Sequence, residues 1–474
     1  MARALAAALA GAATANAVAW RGANSWYNWL GSPNETQAIA AATYLSENLL
    51  AFGYSTYTLD EGWAEKDGQL FLDAYGRLTW NPDMFPSGIP QLASTFKSLG
   101  IDLGLWLVRG VPRSAVAGKL PIFGGGGLTA ADAVRFDKNC SWDAQTYGSN
   151  APSAAAAAYY SSLAQQIASW GVSLVKIDCL WPNKVEGTPQ TYFDEDVEAM
   201  TDAFRAAGLS LSLSPGISVS PQNGSWIAAG GRADFYRIAE DVLDVYDSKA
   251  DGSFPQGVHQ KFAKALEFES LLGLNKTTPD FDMLMLGRTI HGYDSHELPP
   301  TETHLTRDEQ LTEFTLFAFT GVPLIMGGFL PLDDSANSSW TLSVLTNAEV
   351  LGAHSGGLSR ASFTPVGAGA GNEFYGWVST PAGATTPTAT RYVALFNAEQ
   401  GPRTVGARFV EDLGLPAGTT SVCLRDVWAH SWTEPAGGPL AGGGVGFLAG
   451  VNAHGVRAFV VAPVGGEDCR APLA

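Results

Sequence analysis

The stretch LVKIDC at residues 174–179 says most about the fold and chemistry of this chain. Its β-type residues predict a short strand that ends in an acidic group. Residues two apart on a strand face the same side, so Lys176 and Asp178 are expected to project together, with the ammonium favouring the ionised carboxylate. In a parallel barrel, catalytic groups lie at the carboxyl ends of the strands. A buried structural ion pair is the alternative interpretation.

Short apolar segments alternate with helical patterns up to about residue 355, which predicts parallel β/α units. Eight candidate strands lie near residues 19–26, 54–60, 101–108, 172–178, 209–214, 235–239, 283–286 and 323–327. Candidate helices include residues 35–51, 89–99, 153–170, 191–207, 259–272 and 307–320. We therefore predict an α/β fold with a (β/α)8 TIM barrel as catalytic domain at residues 18–355. A long loop at 110–150 is inserted between strands three and four.

The pattern changes after about residue 358. Alternating segments such as 392–396 and 456–461 are separated by turns rich in Gly, Pro and Thr. This sequence pattern predicts a C-terminal antiparallel β-sandwich domain at residues 358–474. A short connection near residues 355–358 is expected to join it to the barrel.

The net charge of −18 limits the kinds of binding partner that the chain can have. Such an acidic protein is a poor match for nucleic acid or anionic membrane surfaces, whereas a neutral carbohydrate substrate fits it. No apolar run reaches the roughly 18 residues of a membrane span, so membrane insertion is not expected. A homodimer is compatible with the sequence, which does not define the oligomeric state.

Residues 1–17 resemble a secretory signal peptide. Arg3 is followed by an Ala/Leu-rich stretch and by the A-x-A pattern at 15–17. This favours a secreted protein or one delivered to an endomembrane or vacuolar lumen. An ordinary disordered N-terminus is the alternative.

Four cysteines allow three disulfide pairings. Pairing neighbours in the sequence, Cys140 with Cys179 and Cys423 with Cys469, would put one bridge in each domain. The seven histidines are scattered and form no ligand pair at a strand end, so we predict no metal and no cofactor.

The predicted strand ends carry aromatic and charged side chains. Trp26, Trp63 and Trp106 belong to the first three units. The charged residues at these ends are Asp60, Glu61, Lys176, Asp178, Arg237, Asp241 and Asp282. The C–H face of a sugar stacks on tryptophan, and its hydroxyls need paired donors and acceptors. Two carboxylates that act on a glycosidic bond are the chemistry that this set favours.

These residues resemble glycoside hydrolase family 27, the α-galactosidase or melibiase family, as a divergent branch. The matching stretches are "ANSW" on strand one, "LDEGWAE" after strand two, "WGVSLVKIDC" on strand four and "FYRIAED" on strand six. "DFDMLMLG", "LTRDEQLTEFTLFAFTGVPLIMGG" and "LRDVWAH" extend the similarity through nearly the whole chain.

The resemblance implies a role for each matched residue. Asp178 corresponds to the nucleophile of the family and Asp241 to its general acid/base. The substrate-binding positions are Trp26, Asp60, Glu61, Trp106, Lys176, Arg237 and Asp282. Cys140 and Cys179 match a family disulfide. The implied activity is retaining hydrolysis of terminal α-D-galactosyl residues through a glycosyl-aspartate intermediate, with the carboxyl groups about 5–5.5 Å apart.

Three departures from the family pattern bear on the substrate. Glu61 replaces an aspartate, and its extra methylene takes up room that a 6-hydroxymethyl group needs, which favours a pentopyranose such as β-L-arabinopyranose. Strand five reads SLSPG at 212–216 and lacks the family's glutamate. In the third loop, Arg109 or Arg113 is expected either at the pocket mouth or in solvent. A β-L-arabinopyranosidase or other glycosidase of the family, and a carbohydrate-binding protein without catalysis, are the alternatives.

Overall fold

Eight parallel strands form one curled sheet in the N-terminal part of the chain. The computed structural model describes residues 19–180, 194–215, 219–248, 256–272, 277–290, 300–355, 357–367, 373–381, 390–433, 436–441, 443–463 and 469. The strands are β1 (Arg21–Asn24), β2 (Thr56–Leu59), β3 (Asp102–Val108), β4 (Leu174–Asp178), β5 (Ser210–Ser214), β6 (Phe235–Arg237), β7 (Thr278–Asp280) and β8 (Leu324–Met326). They pair in the order β7-β6-β5-β4-β3-β2-β1-β8. A parallel bridge between Leu284 and Met326 connects the two edges, and the predicted barrel-type fold is confirmed.

Helices lie between the strands and continue after the last of them. They are α1 (Glu35–Tyr44), α2 (Ile89–Ser98), α3 (Ala154–Ser169), α4 (Asp194–Ala206), α5 (Pro221–Ala229), α6 (Val258–Glu267), α7 (Arg307–Thr320), α8 (Ala336–Leu345) and α9 (Ala348–Ala353). Helix α1 continues as a π-helical turn, Leu45–Leu49. A capping box begins α7, because the side chains of Thr306 and Glu309 each accept a hydrogen bond from the backbone N–H of the other.

Shorter elements complete the connections of the barrel. The helical ones are Trp26–Trp29, Leu50–Phe52, Arg113–Ala117, Ala130–Ala133 and Glu269–Leu271. The paired strands are Glu65–Lys66 with Gln69–Leu70, Thr146–Ser149 with Val111–Pro112 and Val134–Arg135, and Arg288–Thr289 with Thr301–Glu302.

Strand β4 lies where the LVKIDC stretch predicts it. Leu174, Val175 and Ile177 are buried, while Lys176 and Asp178 are partly exposed on one face. The strand pairs with β3 and β5, so its carboxyl end lies beside two other strand ends. The alternation of a half-buried strand thus points both charged side chains to the same side.

The position predicted for strand seven is wrong. The strand is Thr278–Asp280, whereas residues 283–286 form the irregular segment after it. The reason is local, because Asp282 adopts a left-handed φ of 75°, which ends regular pairing. Residues 283–286 look like a strand in sequence because all four are buried and apolar.

The C-terminal part consists of two antiparallel sheets that pack on a shared apolar core. Its strands are β9 (Leu358–Phe363), β10 (Phe374–Pro381), β11 (Arg391–Asn397), β12 (Arg403–Arg408), β13 (Val422–Asp426), β14 (Ser431–Trp432), β15 (Gly438–Pro439), β16 (Val445–Val451) and β17 (Val456–Pro463). One sheet has the order β9-β10-β11-β17-β13-β14 and the other β12-β16-β15. Buried side chains of both sheets, such as Val393 and Phe447, meet in one cluster. The predicted β-sandwich is confirmed.

Helix α7 lies between the barrel and the larger C-terminal sheet. Every residue from Phe314 to Thr320 is buried, including the polar ones. Trp428 donates its indole N–H to Thr315 at 3.0 Å, and Ser379 donates to the Phe319 carbonyl at 3.0 Å. A single apolar cluster runs through barrel and sheet residues alike. The division into domains at about residue 355 stays a prediction.

Both disulfides expected from the sequence are present. Cys140 is bonded to Cys179, and Cys423 to Cys469. The first bridge links the long insert to the residue that follows β4. Within the described part of the chain, no helix has the length and apolarity to cross a membrane. The predicted signal peptide, residues 1–17, lies outside the described residues.

We expect Phe396→Ala to lower the free energy of unfolding by about 3–5 kcal/mol, because it leaves a cavity in the joint core. Phe396 is fully buried on β11, and its ring contacts Phe262 of the barrel helix α6 edge-on at 5.2 Å. Denaturant unfolding followed by tryptophan fluorescence and circular dichroism measures the change. Leu448→Ala, at a side chain 55% exposed, is the control and should change stability little. An equal effect of both substitutions would contradict the joint core.

Candidate active site

A pocket of about 440 Å³ opens at the carboxyl ends of the barrel strands. Every catalytic and substrate-binding residue predicted from the sequence lines it: Trp26, Asp60, Glu61, Trp106, Lys176, Asp178, Arg237, Asp241 and Asp282. The strands bring these side chains together because parallel strands end at one rim. The pocket size lies in the range of small-molecule sites, about 300–1,000 Å³.

The Asp178 carboxylate is held at both of its oxygens. The Trp106 indole N–H donates to Oδ2 at 3.2 Å, and the Cys179 backbone N–H donates to Oδ1 at 2.7 Å. Burial raises the pKa of the Asp178 carboxyl above its ordinary value, and Arg237 and Lys176 offset part of that shift. The expectation that a cation favours the charged form is correct in direction, but burial is the larger effect.

Lys176 shares the face of Asp178, but its direct partner is the carboxylate of Asp60. The Lys176 Nζ lies 2.8 Å from Asp60 Oδ2, and the Asn24 amide donates to the same oxygen at 2.7 Å. Although burial lowers the pKa of Lys176, the carboxylates of Asp60 and Asp178 raise it overall. Lys176 is therefore a stable cation that fixes the Asp60 side chain.

Arg237 lies between Asp241 and Asp282. Its guanidinium contacts the Asp241 carboxylate directly, and its Nη1 lies 3.7 Å from Asp282 Oδ2. Asp282 accepts a hydrogen bond from the Val242 backbone N–H at 3.0 Å. The Tyr27 hydroxyl donates to the Val242 carbonyl. This chain of contacts positions the segment that carries Asp241.

Glu61 is a carboxyl in an acidic, partly buried setting. Burial, followed by the charges of Asp60 and Glu65, raises the pKa of Glu61 to about 7. Below that pH the side chain is neutral and can donate a hydrogen bond. Sequence reasoning predicted its place in the pocket but not its protonation.

A second layer of ionisable groups lies beneath the pocket, and the sequence did not predict it. Burial raises the pKa of Asp280 to about 7 and that of Glu313 to about 8. Burial also lowers the pKa of Lys261 to about 8, and its Nζ has no hydrogen-bond partner among the described residues. The neighbouring charges of Asp282 and Arg237 act on Lys261, so this layer is electrostatically coupled to the pocket.

Two expectations about individual residues are wrong. Trp63 is 1% exposed and donates its indole N–H to the Trp106 carbonyl at 2.8 Å, so it belongs to the core and is no sugar platform. Arg109 lies neither at the mouth nor in solvent, because it is fully buried and ion-paired with Asp196. Arg113 donates to the Thr146 carbonyl at 3.1 Å instead of facing the pocket.

Several residues that line the pocket were missed from the sequence: Tyr27, Trp142, Ser214, Pro215, Glu240 and Met283. Ser214 is the last residue of β5, and Pro215 follows it. The Ser214 hydroxyl has no hydrogen-bond partner in the part of the chain that the structure describes. Trp142 follows Cys140 by two residues, and that proximity to the predicted disulfide was the signal that could have revealed it.

The described ranges contain no group of three or more His, Cys, Asp or Glu side chains arranged to hold a metal ion.

The chain is similar to several known proteins. Residues 382–461 match the family model of the alpha galactosidase C-terminal beta sandwich domain. The GH27 β-L-arabinopyranosidase of Geobacillus stearothermophilus superposes with a TM-score of 0.80, at 27% identity, over 98% of this chain and 99% of that one. These similarities support the assignment of the chain to glycoside hydrolase family 27. They also support a glycosidase.

Other similar proteins are named alpha-galactosidases. The alpha-galactosidase I of Mortierella vinacea superposes with a TM-score of 0.65 at 19% identity, over 96% of this chain and 100% of that one. The alpha-galactosidase of Coffea arabica is 24% identical over 93% of both sequences. The match covers 65% of alpha-galactosidase mel1 of Schizosaccharomyces pombe and 42% of an Aspergillus flavus relative, so the chain spans only part of some curated relatives.

We expect Glu61→Gln to gain stability over the wild type as the pH rises from 4.5 to 8. The Glu61 carboxyl ionises near its ordinary pKa of 4.5 in the unfolded chain but near 7 in the folded one. Ionisation of Glu61 therefore lowers the stability of the folded wild type across this window, and this contribution is absent from the glutamine variant. Thermal unfolding at both pH values measures the difference. The matched control is Glu47→Gln at an exposed glutamate. A wild-type-minus-variant difference that is the same at both pH values would contradict the buried, protonated Glu61.

Proposed function

We propose that the chain is a retaining exo-glycoside hydrolase that removes a terminal α-D-galactosyl residue, or a sugar of the same ring configuration, from oligosaccharides or glycoconjugates. The observation that carries the proposal is that Asp178 and Asp241 line one sugar-sized pocket. The indole of Trp26 lines the same pocket and offers a stacking surface. Lys176 and Arg237 supply donors for ring hydroxyls.

In the proposed reaction, an Asp178 oxygen bonds to the anomeric carbon while the bond to the leaving oxygen breaks. Asp241 transfers its proton to that oxygen, which leaves as an alcohol. Water then loses a proton to Asp241 and attacks the anomeric carbon, which releases the Asp178 carboxylate and the sugar with its configuration retained. The bonds from Trp106 and Cys179 to Asp178 orient its carboxylate for this attack.

The contact between Arg237 and Asp241 couples substrate binding to acid catalysis in this proposal. A guanidinium beside a carboxylate favours the ionised carboxylate. A sugar hydroxyl that accepts a hydrogen bond from Arg237 would compete for the guanidinium. Substrate binding would thereby weaken the ion pair and let Asp241 carry the proton that the leaving group needs.

We expect Asp178→Asn to abolish hydrolysis of aryl glycosides and Asp241→Asn to lower kcat by about 10²–10⁴-fold, the usual contribution of an acid/base group. For Asp241→Ala, added azide is expected to restore turnover of an activated aryl glycoside, because azide needs no base. The product should be a glycosyl azide. Rate measurements and NMR of the first-formed anomer provide the readouts.

Asp83→Asn is the control for these substitutions, since Asp83 is exposed and pairs with Lys66 away from the pocket. Wild-type rates in either Asp178→Asn or Asp241→Asn would remove the assignment. A wild type that binds sugars but hydrolyses no glycoside would instead identify a carbohydrate-binding protein without catalysis.

A β-L-arabinopyranosidase is the second candidate, and Glu61 is the observation that favours it. β-L-Arabinopyranose has the ring configuration of α-D-galactose but lacks the hydroxymethyl group. Glu61 lines the pocket next to Asp60, and its side chain is one methylene longer than that of aspartate. One methylene changes discrimination by about 1–3 kcal/mol. The Geobacillus relative, described as a β-L-arabinopyranosidase, supports the same substrate.

A β-L-arabinopyranosidase is expected to have a higher kcat/KM for p-nitrophenyl β-L-arabinopyranoside than for p-nitrophenyl α-D-galactoside, and an α-galactosidase the reverse. Glu61→Asp should move the ratio toward the galactoside by about tenfold or more, because the shorter side chain makes room for the hydroxymethyl group. Glu61→Gln keeps the length of the side chain and should keep the pentose preference. An unchanged ratio in Glu61→Asp would show that this residue does not select the sugar.

A further inference from the structure

We propose that Trp142 is a stacking platform for a carbohydrate leaving group, the sugar unit on the far side of the scissile bond. The inference rests on the proposed glycosidase function and adds a second subsite to it. Trp142 belongs to the long insert between β3 and β4. It lines the pocket, and 48% of its surface is exposed.

The aromatic rings of the pocket differ in exposure. Trp26 and Trp106 are partly buried, and Trp106 is tied to Asp178 through its indole N–H. The Trp142 ring centroid lies 6.5 Å from that of Trp106 at an interplanar angle of 36°. Trp142 is thus the more exposed ring of the pair. A ring in this place can meet the group that projects from the pocket while the reacting sugar occupies the interior.

The backbone on both sides of Trp142 is anchored. Cys140 is disulfide-bonded to Cys179, the residue that follows Asp178. On the other side, Asp143 accepts a hydrogen bond from the Gln145 N–H at 3.0 Å, and the Gln145 carbonyl accepts one from the Arg113 N–H at 2.9 Å. A platform held in this way loses little conformational freedom when a ligand stacks on it.

Two other exposed aromatic residues of the same insert contact side chains outside the pocket. Phe136 is 64% exposed, but its ring packs edge-on against Tyr147 at 4.8 Å. Phe123 is 48% exposed and lies near Tyr75 and Arg77. Neither lines the pocket. Phe136 therefore offers a matched control, an exposed ring on the same insert that is not expected to contact substrate.

The chemistry of the site fits a pyranose as the leaving group. A pyranose presents C–H groups to an aromatic face, and the indole offers the larger ring system for that contact. An acidic side chain, Glu240, also lines the pocket and can accept hydrogen bonds from sugar hydroxyls. An alkyl leaving group such as methyl is too small to use either contact.

The test compares methyl glycosides with disaccharides that have glucose as leaving group, in both the α-D-galactosyl and the β-L-arabinopyranosyl series. Trp142→Ala is expected to lower kcat/KM for the disaccharide about three- to tenfold, mainly through KM, and to change that for the methyl glycoside less than twofold. Trp142→Phe should recover most of the loss, because it keeps a ring. Phe136→Ala should leave kcat/KM unchanged for both substrates. Thermal unfolding of each variant checks that the fold is intact.

An equal loss of kcat/KM for the disaccharide and the methyl glycoside would show that Trp142 contacts the reacting sugar. That result would overturn the proposal that it binds the leaving group. No loss for the disaccharide in a folded Trp142→Ala variant would overturn it as well. A wild type that hydrolyses none of these glycosides would instead overturn the proposed function, and this inference with it. Disaccharide binding to the Asp178→Asn variant, measured by calorimetry with and without Trp142→Ala, gives a readout that does not depend on turnover.

Discussion

Lys176 and Arg237 lie at a rim that carries more carboxylates than two cations can neutralise. The parallel barrel imposes this arrangement, because the ends of β2, β4 and β6 meet at one opening. Burial is the main cause that shifts several carboxyl groups toward their neutral forms. It raises the pKa values of Asp178 and Glu61 in the pocket and of Asp280 beneath it. The site depends on this balance, in which each cation holds a carboxylate in place while excess negative charge keeps others protonatable.

Two residues of the pocket have an unusual backbone conformation. Cys179 and Asp282 have φ values of 57° and 75°, in a region that non-glycine residues rarely adopt. Both residues line the pocket. The disulfide with Cys140 holds the first, and the bond from the Val242 N–H holds the second. Such strain persists where surrounding contacts over-determine it, and it clusters at functional sites.

The strand-end carboxylates could be predicted from the sequence because a period of two and the parallel barrel are regular. The same reasoning predicted Lys176 beside Asp178, and the motif resemblance implied the role of Asp241, which lies beyond the end of β6. Irregular features could not be predicted in this way. Burial of Trp63 and Arg109 depends on long-range packing, and the place of Trp142 depends on how a long insert folds back. Strand seven was misplaced because four buried apolar residues look alike in a strand and in a buried loop.

The position of helix α7 limits where truncated or chimeric forms of this protein can be divided. One side of the helix faces the barrel and the other faces the larger C-terminal sheet, and its central residues are buried. A barrel truncated before the C-terminal sheet would expose this apolar surface to water and tend to aggregate. Chimeras that exchange C-terminal modules between relatives should therefore transplant the helix together with the sheet that covers it.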